Sequence, residues 1–144
     1  MRSHGRVLVI DDEPALRLLC RVNLTLAGFD VDEAASGTEG IACAQLNRPE
    51  VILLDLMLPG FDGHAVIDEL RDDRHTADVP IIVLSARTAP EDIRRAYAHG
   101  AIAYITKPFD PVDLSERVQE VLDRVRAGDA DDFRDAQLAR LGPS

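Results

Sequence analysis

Polar residues that are able to hold a cation or a phosphate group stand at the ends of four short apolar runs in this sequence. The runs are rich in Val, Ile and Leu, as buried strands are. Asp11 and Asp12 follow residues 7–10, Asp55 follows residues 51–54, Ser85 follows residues 81–84, and Lys107 comes just after residues 102–105. The set offers carboxylates, a hydroxyl and an amine.

These residue types suit phosphoryl transfer. Neighbouring carboxylates repel one another and raise one another's pKa, so a cluster of them is tolerable when a hard cation neutralises it. Mg²⁺ prefers a few carboxylate oxygens together with water and phosphate. A lysine and a hydroxyl add positive charge and a donor for phosphoryl oxygens. A carboxylate can itself be the nucleophile and form an aspartyl phosphate.

The elements that must position these residues alternate along the chain. Five apolar runs, at residues 7–10, 31–34, 51–54, 81–84 and 102–105, are separated by helical patterns. The run at 31–34 carries Asp32 and Glu33, which predicts an edge strand. Capping residues and prolines predict five helices, which begin near Pro14, Ser36, His64, Pro90 and Pro111.

This alternation predicts an α/β fold, a doubly wound five-stranded parallel sheet of flavodoxin-like (βα)5 type with strand order 2-1-3-4-5. Ligands of such sheets bind outside the carboxyl ends of the strands. If the first and third strands are neighbours, Asp11, Asp12 and Asp55 meet in one cleft. We expect the folded domain to cover residues 1–127. The polar segment 128–144 is predicted to be a flexible tail or a short extra helix.

At these residues the chain resembles the bacterial two-component response-regulator receiver family. The matching pieces are VLVIDDEP, VILLDLMLPGFDG, IIVLSA and GAIAYITKPFDP, in the expected order over about residues 5–127. The resemblance implies a signalling switch that accepts a phosphoryl group on Asp55 in a Mg²⁺-dependent reaction, with Mn²⁺ as a substitute. It is not expected to be an enzyme beyond its own phosphorylation and dephosphorylation.

The resemblance also implies residue roles at the metal and phosphate. Asp12 matches a direct metal ligand, Asp11 a ligand that binds largely through water, and the backbone carbonyl of Met57 a third protein ligand beside Asp55. Ser85 and Lys107 match the groups that hold the phosphoryl oxygens.

The resemblance implies further roles in the conformational switch and in the lifetime of the phosphoryl group. Lys107–Pro108 matches a cis peptide, and Tyr104 matches the aromatic residue that turns inward when the Ser85 hydroxyl moves toward the phosphoryl group. Met57 and Arg87 are expected to flank the path of the hydrolytic water and so to set the lifetime of the phosphoryl group.

The expected partners follow from the same resemblance. A sensor histidine kinase or phosphotransfer protein would donate the phosphoryl group. An unknown downstream protein would read the surface of the fourth helix, fifth strand and fifth helix. A phosphorylation-dependent dimer is allowed, although Ile102 and Ala103 stand where receivers joined to winged-helix domains often carry Asp residues for dimer salt bridges.

Two other classes share parts of this pattern. A flavodoxin would bind flavin phosphate with a loop of Ser, Thr and Gly after the first strand, but here that loop is acidic. An aspartate-dependent phosphatase usually has a second Asp two residues after its nucleophile, where this chain has Met57.

Composition sets further limits. The formal net charge of −10 argues against direct binding to nucleic acid. Cys20 and Cys43 match no metal or redox spacing. Neither a signal peptide nor a membrane-spanning run is visible, so a cytoplasmic location is expected. The histidines are given no role: His4, His64, His75 and His99.

Overall fold

A computed structural model describes residues 3–60 and 62–142, so the start of the predicted segment 1–127 and the end of the predicted segment 128–144 lie outside the described residues. Its centre is a five-stranded sheet in which all neighbouring strands are parallel, in the order β2-β1-β3-β4-β5. The strands are β1 (Arg6–Ile10), β2 (Asp30–Ala34), β3 (Val51–Asp55), β4 (Ile81–Ser85) and β5 (Ala103–Thr106). The predicted fold class and strand order are confirmed.

The strands differ in burial as their sequences predict. Every residue of β3 and β4 is buried, whereas β2 lies at the edge and is largely half-buried. The polar residues of β2 pair across to neighbouring elements, since Arg6 contacts Asp32 at 3.0 Å. β3 and β4 extend one residue beyond their apolar runs, because Asp55 pairs in register with Leu84 and Ser85 with Thr106.

The described residues form six helices around the sheet. They are α1 (Pro14–Leu26), α2 (Gly37–Asn47), α3 (Gly63–Asp72), α4 (Pro90–His99), α5 (Pro111–Ala127) and α6 (Ala130–Ala139). Side chains cap three of them: Ser36 accepts from the Glu39 amide, Asp62 from the His64 amide and Asp110 from the Val112 amide. In the described part of the chain, no helix is both long and apolar enough to cross a membrane.

Alternate residues of each strand enter two separate cores. Val7 and Val9 of β1 pack with buried side chains of α1 and α5 on one face. Leu8 and Ile10 pack with side chains of α2, α3 and α4 on the other. The sheet is therefore covered on both faces, which places its functional edge at the carboxyl ends of the strands.

Helix α6 belongs to neither layer. Its Phe133 packs into the core of the α1–α5 face, and its Leu138 packs against the core of the α2–α4 face. From α4, Arg94 donates hydrogen bonds to the carbonyl oxygens of Leu141 and Gly142, at 3.2 and 3.1 Å. Residues 130–139 thus form an ordered helix against α4 and α5.

Candidate functional site

Three carboxylates meet at the carboxyl ends of β1 and β3. These strands are direct neighbours, and Ile10 is in register with Leu54, so the next residues, Asp11 and Asp55, emerge side by side. One oxygen from each of Asp11, Asp12 and Asp55 lies within 4.8 Å of the other two, the only such group of potential metal ligands among the described residues. Asp11 and Asp55 are buried, while Asp12 is exposed.

Lys107 brings a positive charge to this cluster from the end of β5. Its Nζ lies 3.0 Å from Oδ2 of Asp11 and 3.4 Å from Oδ2 of Asp55. Burial lowers the pKa of Lys107, but the hydrogen bond with Asp11 and the charges of both carboxylates outweigh it, and the net pKa is raised. The lysine is therefore held in its charged form.

The backbone near Lys107 fixes the lysine against β4. The Lys107 amide donates to the carbonyl of Ser85 at 2.8 Å. The Lys107–Pro108 peptide is cis.

Asp55 sits in a pocket that disfavours its negative charge. Burial is the main effect and raises the pKa of Asp55; the hydrogen bond from the Met57 amide to Oδ1, at 2.9 Å, and the charge of Lys107 offset it in part. A carboxylate destabilised in this way is stabilised when a bound cation or a covalent bond neutralises its charge. Asp55 is thus a buried carboxylate whose charged form is destabilised by its surroundings.

The donor set fits a hard divalent cation. Three carboxylates and one ammonium leave two negative charges uncompensated in the cluster. Oδ1 of Asp11 accepts from the Glu13 amide at 2.9 Å, and Oδ2 of Asp11 accepts from Lys107, so Asp11 is already engaged. Asp12 presents the exposed carboxylate. Oxygen ligands without sulfur or imidazole favour Mg²⁺-like ions over zinc-like ones.

Hydrogen bonds through the backbone of Arg87 link Ser85, at the end of β4, to Tyr104 of β5. The Ser85 side chain is buried, and its Oγ accepts from the Arg87 amide at 3.1 Å. The Tyr104 hydroxyl donates to the Arg87 carbonyl at 2.9 Å. Burial raises the pKa of Tyr104. A side-chain hydrogen bond with Ser85 offsets the rise in part, so the hydroxyl of the buried Tyr104 is linked to Ser85 both directly and through the backbone of Arg87.

The two residues expected to flank the site are placed differently. The side chain of Met57 is 53% exposed next to the acidic cluster. The Arg87 guanidinium turns toward α4, where its Nη1 lies 3.7 Å from Oδ1 of Asp92. Arg87 also lines a cavity of about 250 Å³ together with Leu56 and His64.

Two contacts near the site were not foreseen from the sequence. His64 and His99 have ring centroids 4.9 Å apart, and their Nδ1 atoms lie 3.1 Å from Asp62 and 2.7 Å from Asp68. The i, i+4 spacing of His64 and Asp68 is the sequence signal for one helix face.

The second unforeseen contact joins α1 to the acidic loop. Nη1 of Arg17 donates to the backbone carbonyl of Asp11 at 2.7 Å. The sequence gives only a weak signal for this contact. Arg17 lies one helical turn after Glu13, the residue that precedes α1, and is therefore close enough to reach back to the acidic loop.

Comparison with known proteins agrees with this geometry. The response regulator receiver domain family matches residues 7–119. The chain is 45% identical over 119 residues to the DNA-binding dual master transcriptional regulator RpaA of Synechocystis, which covers 83% of this chain and 49% of RpaA. It is 38% identical to the phosphate regulon transcriptional regulatory protein PhoB of Pseudomonas aeruginosa, over 87% of this chain and 55% of PhoB. The chain thus spans about half the length of the curated relatives it matches.

Solved structures match over almost their whole length. The chemotaxis response regulator CheY4 of Vibrio cholerae superimposes with a TM-score of 0.77 at 33% identity, covering 81% of this chain and 98% of CheY4. A CheY-like receiver domain protein of Methanospirillum hungatei gives a TM-score of 0.81 at 28% identity, covering 88% and 99%. The acidic cluster, the half-buried lysine and these matches agree, and the chain belongs to the response-regulator receiver domain family of two-component signalling systems.

Proposed function

We propose that this receiver takes a phosphoryl group on Asp55 from a phosphohistidine donor, with Mg²⁺ bound by Asp11, Asp12, Asp55 and the carbonyl of Met57. The observation that supports this proposal best is the contact of Lys107 with both Asp11 and Asp55, which places an ammonium group beside the two buried carboxylates. Mn²⁺, with similar oxygen preferences, is expected to substitute.

The side chains suggest how the transfer proceeds. A carboxylate oxygen of Asp55 attacks the phosphorus, an O–P bond forms, and the N–P bond of the donor breaks, so that the imidazole nitrogen leaves with the electron pair. The bound cation supplies neutralisation of the phosphoryl oxygens. Lys107, already at 3.4 Å from Asp55, is placed to pair with one of these oxygens. The Met57 amide orients Asp55 through Oδ1.

Ser85 is proposed to act after the transfer. Its Oγ accepts a hydrogen bond from the Arg87 amide, and its hydroxyl hydrogen can be donated to a phosphoryl oxygen once the side chain moves toward it. A shift of Ser85 toward that oxygen moves the Arg87 backbone, to which Tyr104 is bonded. The change is proposed to reach the surface of α4, β5 and α5, where a downstream protein or a second copy would read it.

The donor is proposed to be a sensor histidine kinase or a phosphotransfer protein, acting in the cytoplasm where ATP charges such donors. An apolar cavity of about 320 Å³ adjoins Lys107 and is lined by Leu16 and Leu19 of α1 and by Phe109. Exposed apolar side chains continue along α1 at Leu18 and Val22. A protein donor that reaches Asp55 would bury this surface.

Two restrictions belong to the proposal. The chain catalyses only its own phosphorylation and dephosphorylation, because Met57 stands where a phosphatase of this chemistry would need an acid-base Asp. It signals through proteins rather than by binding nucleic acid, because its formal net charge of −10 opposes contact with a phosphate backbone. The receiver unit is proposed to end with α5 at residue 127, with α6 as an addition to it.

The test is phosphorylation of Asp55→Asn. We expect acetyl phosphate or a kinase to label the wild type in a Mg²⁺-dependent, hydroxylamine-sensitive manner, and not to label Asp55→Asn, in which the amide keeps the shape and removes the nucleophile. Asp113→Asn, an exposed change in the first turn of α5, is the control and should be labelled normally. Undiminished labelling of Asp55→Asn would refute the assignment.

A further inference from the structure

The loop that carries Asp11 and Asp12 is held from two sides. The amide of Asp11 donates to the carbonyl of Ala34, the last residue of β2, at 3.1 Å. The carbonyl of Asp11 accepts from Nη1 of Arg17 at 2.7 Å. The Arg17 side chain is only 17% exposed, so this hydrogen bond is largely shielded from water.

Glu33 fixes the other side of the guanidinium. Oε1 of Glu33 lies 3.5 Å from Nε of Arg17, and Oε2 of Glu33 lies 2.7 Å from Nη1 of Arg21. Arg17 and Arg21 therefore share one carboxylate on β2. Arg17 also reaches the acidic loop, whereas Arg21 is 57% exposed and pairs with Glu33.

The bonded carbonyl belongs to the peptide that joins Asp11 to Asp12. Fixing this carbonyl fixes the plane of the peptide and hence the direction in which the exposed carboxylate of Asp12 leaves the backbone. Without it, mutual repulsion would favour a rotation that moves the two carboxylates apart. We infer that Arg17 is a positioning residue for the cation site, with Glu33 as its support. This inference rests on the proposed metal-dependent function.

A purely electrostatic role of Arg17 predicts the opposite change in Mg²⁺ affinity to a positioning role. Arg17 is a cation beside a cation site, so a purely electrostatic role would make its removal strengthen Mg²⁺ binding. A positioning role makes its removal weaken Mg²⁺ binding. Residues that orient metal ligands typically change metal affinity by about 10- to 100-fold when they are mutated.

The experiment is a Mg²⁺ titration of the full chain, followed through the backbone amide of Lys107. Lys107 is the only lysine in the sequence, so a ¹⁵N-lysine label gives one amide signal beside the site. We expect Arg17→Met, which keeps the length and apolar stem of the side chain, to raise the dissociation constant about tenfold. Arg21→Met removes the same charge from Glu33 and is the matched control, with a change below about twofold.

Two further variants separate positioning from loss of folding. Arg17→Lys restores a charged donor and should recover part of the affinity. Glu33→Gln leaves Arg17 in place with weaker support and should give a smaller loss in the same direction. Thermal unfolding without Mg²⁺ should place all variants well above the titration temperature.

The outcomes are distinct. Equal or tighter Mg²⁺ binding by Arg17→Met, with Asp12→Ala weakened, would overturn the role of Arg17 and leave the proposed site intact. Unchanged binding by Asp12→Ala would instead refute the metal ligands themselves. An equal loss in Arg17→Met and Arg21→Met would trace the effect to their shared partner Glu33 rather than to the hydrogen bond of Arg17 with Asp11, and would also overturn the inference.

Discussion

The hydroxyl of Tyr104 donates a hydrogen bond to the backbone carbonyl of Arg87, at 2.9 Å. The amide of the same residue donates to Oγ of Ser85 at 3.1 Å. One residue of backbone therefore connects the switch aromatic on β5 with the hydroxyl at the end of β4. A displacement of Ser85 cannot leave Tyr104 unaffected while both bonds persist.

The first prediction concerns this connection. Ser85→Ala should still accept a phosphoryl group on Asp55, because it removes neither nucleophile nor metal ligand, but the environment of Tyr104 should change much less on phosphorylation. The chain has two tyrosines, Tyr97 and Tyr104, so tyrosine-selective NMR labelling resolves the reporter. Tyr104 shifts as large in Ser85→Ala as in the wild type would argue against coupling through Ser85.

The second prediction concerns the lifetime of the phosphoryl group. Met57 is half exposed beside Asp55 and is apolar, so it can cover the phosphoryl group but cannot orient a water. Met57→Asn keeps the backbone carbonyl and adds a polar group, and it should speed phosphoryl loss several-fold; a tenfold gain needs only about 1.4 kcal/mol. The decay is measured after removal of the donor at constant Mg²⁺.

Two variants serve as comparisons for Met57→Asn. Met57→Leu should decay like the wild type, because it keeps an apolar cover. Arg87→Ala should have a smaller effect than Met57→Asn, because its guanidinium is turned toward Asp92. Unchanged or slower decay in Met57→Asn would show that Met57 does not guard the site.

The third prediction concerns the donor. Leu19 lines the apolar cavity beside Lys107, whereas Leu26 is 81% exposed at the opposite end of α1. Leu19→Glu should slow phosphorylation by a histidine kinase or phosphotransfer protein about tenfold or more, because a charge would be buried at the contact. Leu26→Glu is the matched control. Acetyl phosphate should label both variants at the rate of the wild type, and a defect with acetyl phosphate would point to the site rather than to docking.

The fourth prediction concerns acid. Burial lowers the pKa of His64, and Asp62 offsets this only in part while Arg95 and His99 add to it. A histidine whose pKa is lower folded than unfolded stabilises the fold fully above its unfolded pKa of about 6.5 and loses that contribution as the pH falls through its folded pKa. The free energy of unfolding should therefore fall more steeply below neutral pH in the wild type than in His64→Gln.

Denaturant titrations between pH 7.5 and 5 measure this difference. His75→Gln alters an exposed histidine and should follow the wild type. Parallel pH profiles for the wild type and His64→Gln would contradict the buried, neutral state of His64.

The sequence was sufficient for the fold because the strands are buried on both faces. Runs such as residues 51–54 are continuous in Val, Ile and Leu, and their order follows once alternation with helices is recognised. The acidic cluster was predictable for the same reason, since Asp11 and Asp55 stand directly at strand ends. Because β1 and β3 are parallel neighbours, the residues that follow them lie close together in the structure.

Contacts between helices were not predictable in this way. The contact between His64 and His99 depends on how α3 and α4 are shifted along their axes relative to each other, which the sequence pattern does not encode. The same holds for Gly63, where a Cβ would lie 2.5 Å from the Cα of Leu56, so packing next to Asp55 requires a residue without a side chain. Of the described residues in segment 128–144, Ala130, Phe133 and Leu138 pack against the two cores, too few for a clear pattern.

The sheet order has a consequence for the chain during its synthesis. Asp11, Asp12 and Asp55 leave the ribosome well before Lys107, which lies near the end of the sheet-forming sequence. Strand β1 lies between β2 and β3, and these three strands can pair before β5 has been made. In that nascent state the carboxylates face one another without the lysine that contacts two of them. The segment that completes the sheet therefore brings charge compensation for Asp11 and Asp55 as well as an edge strand.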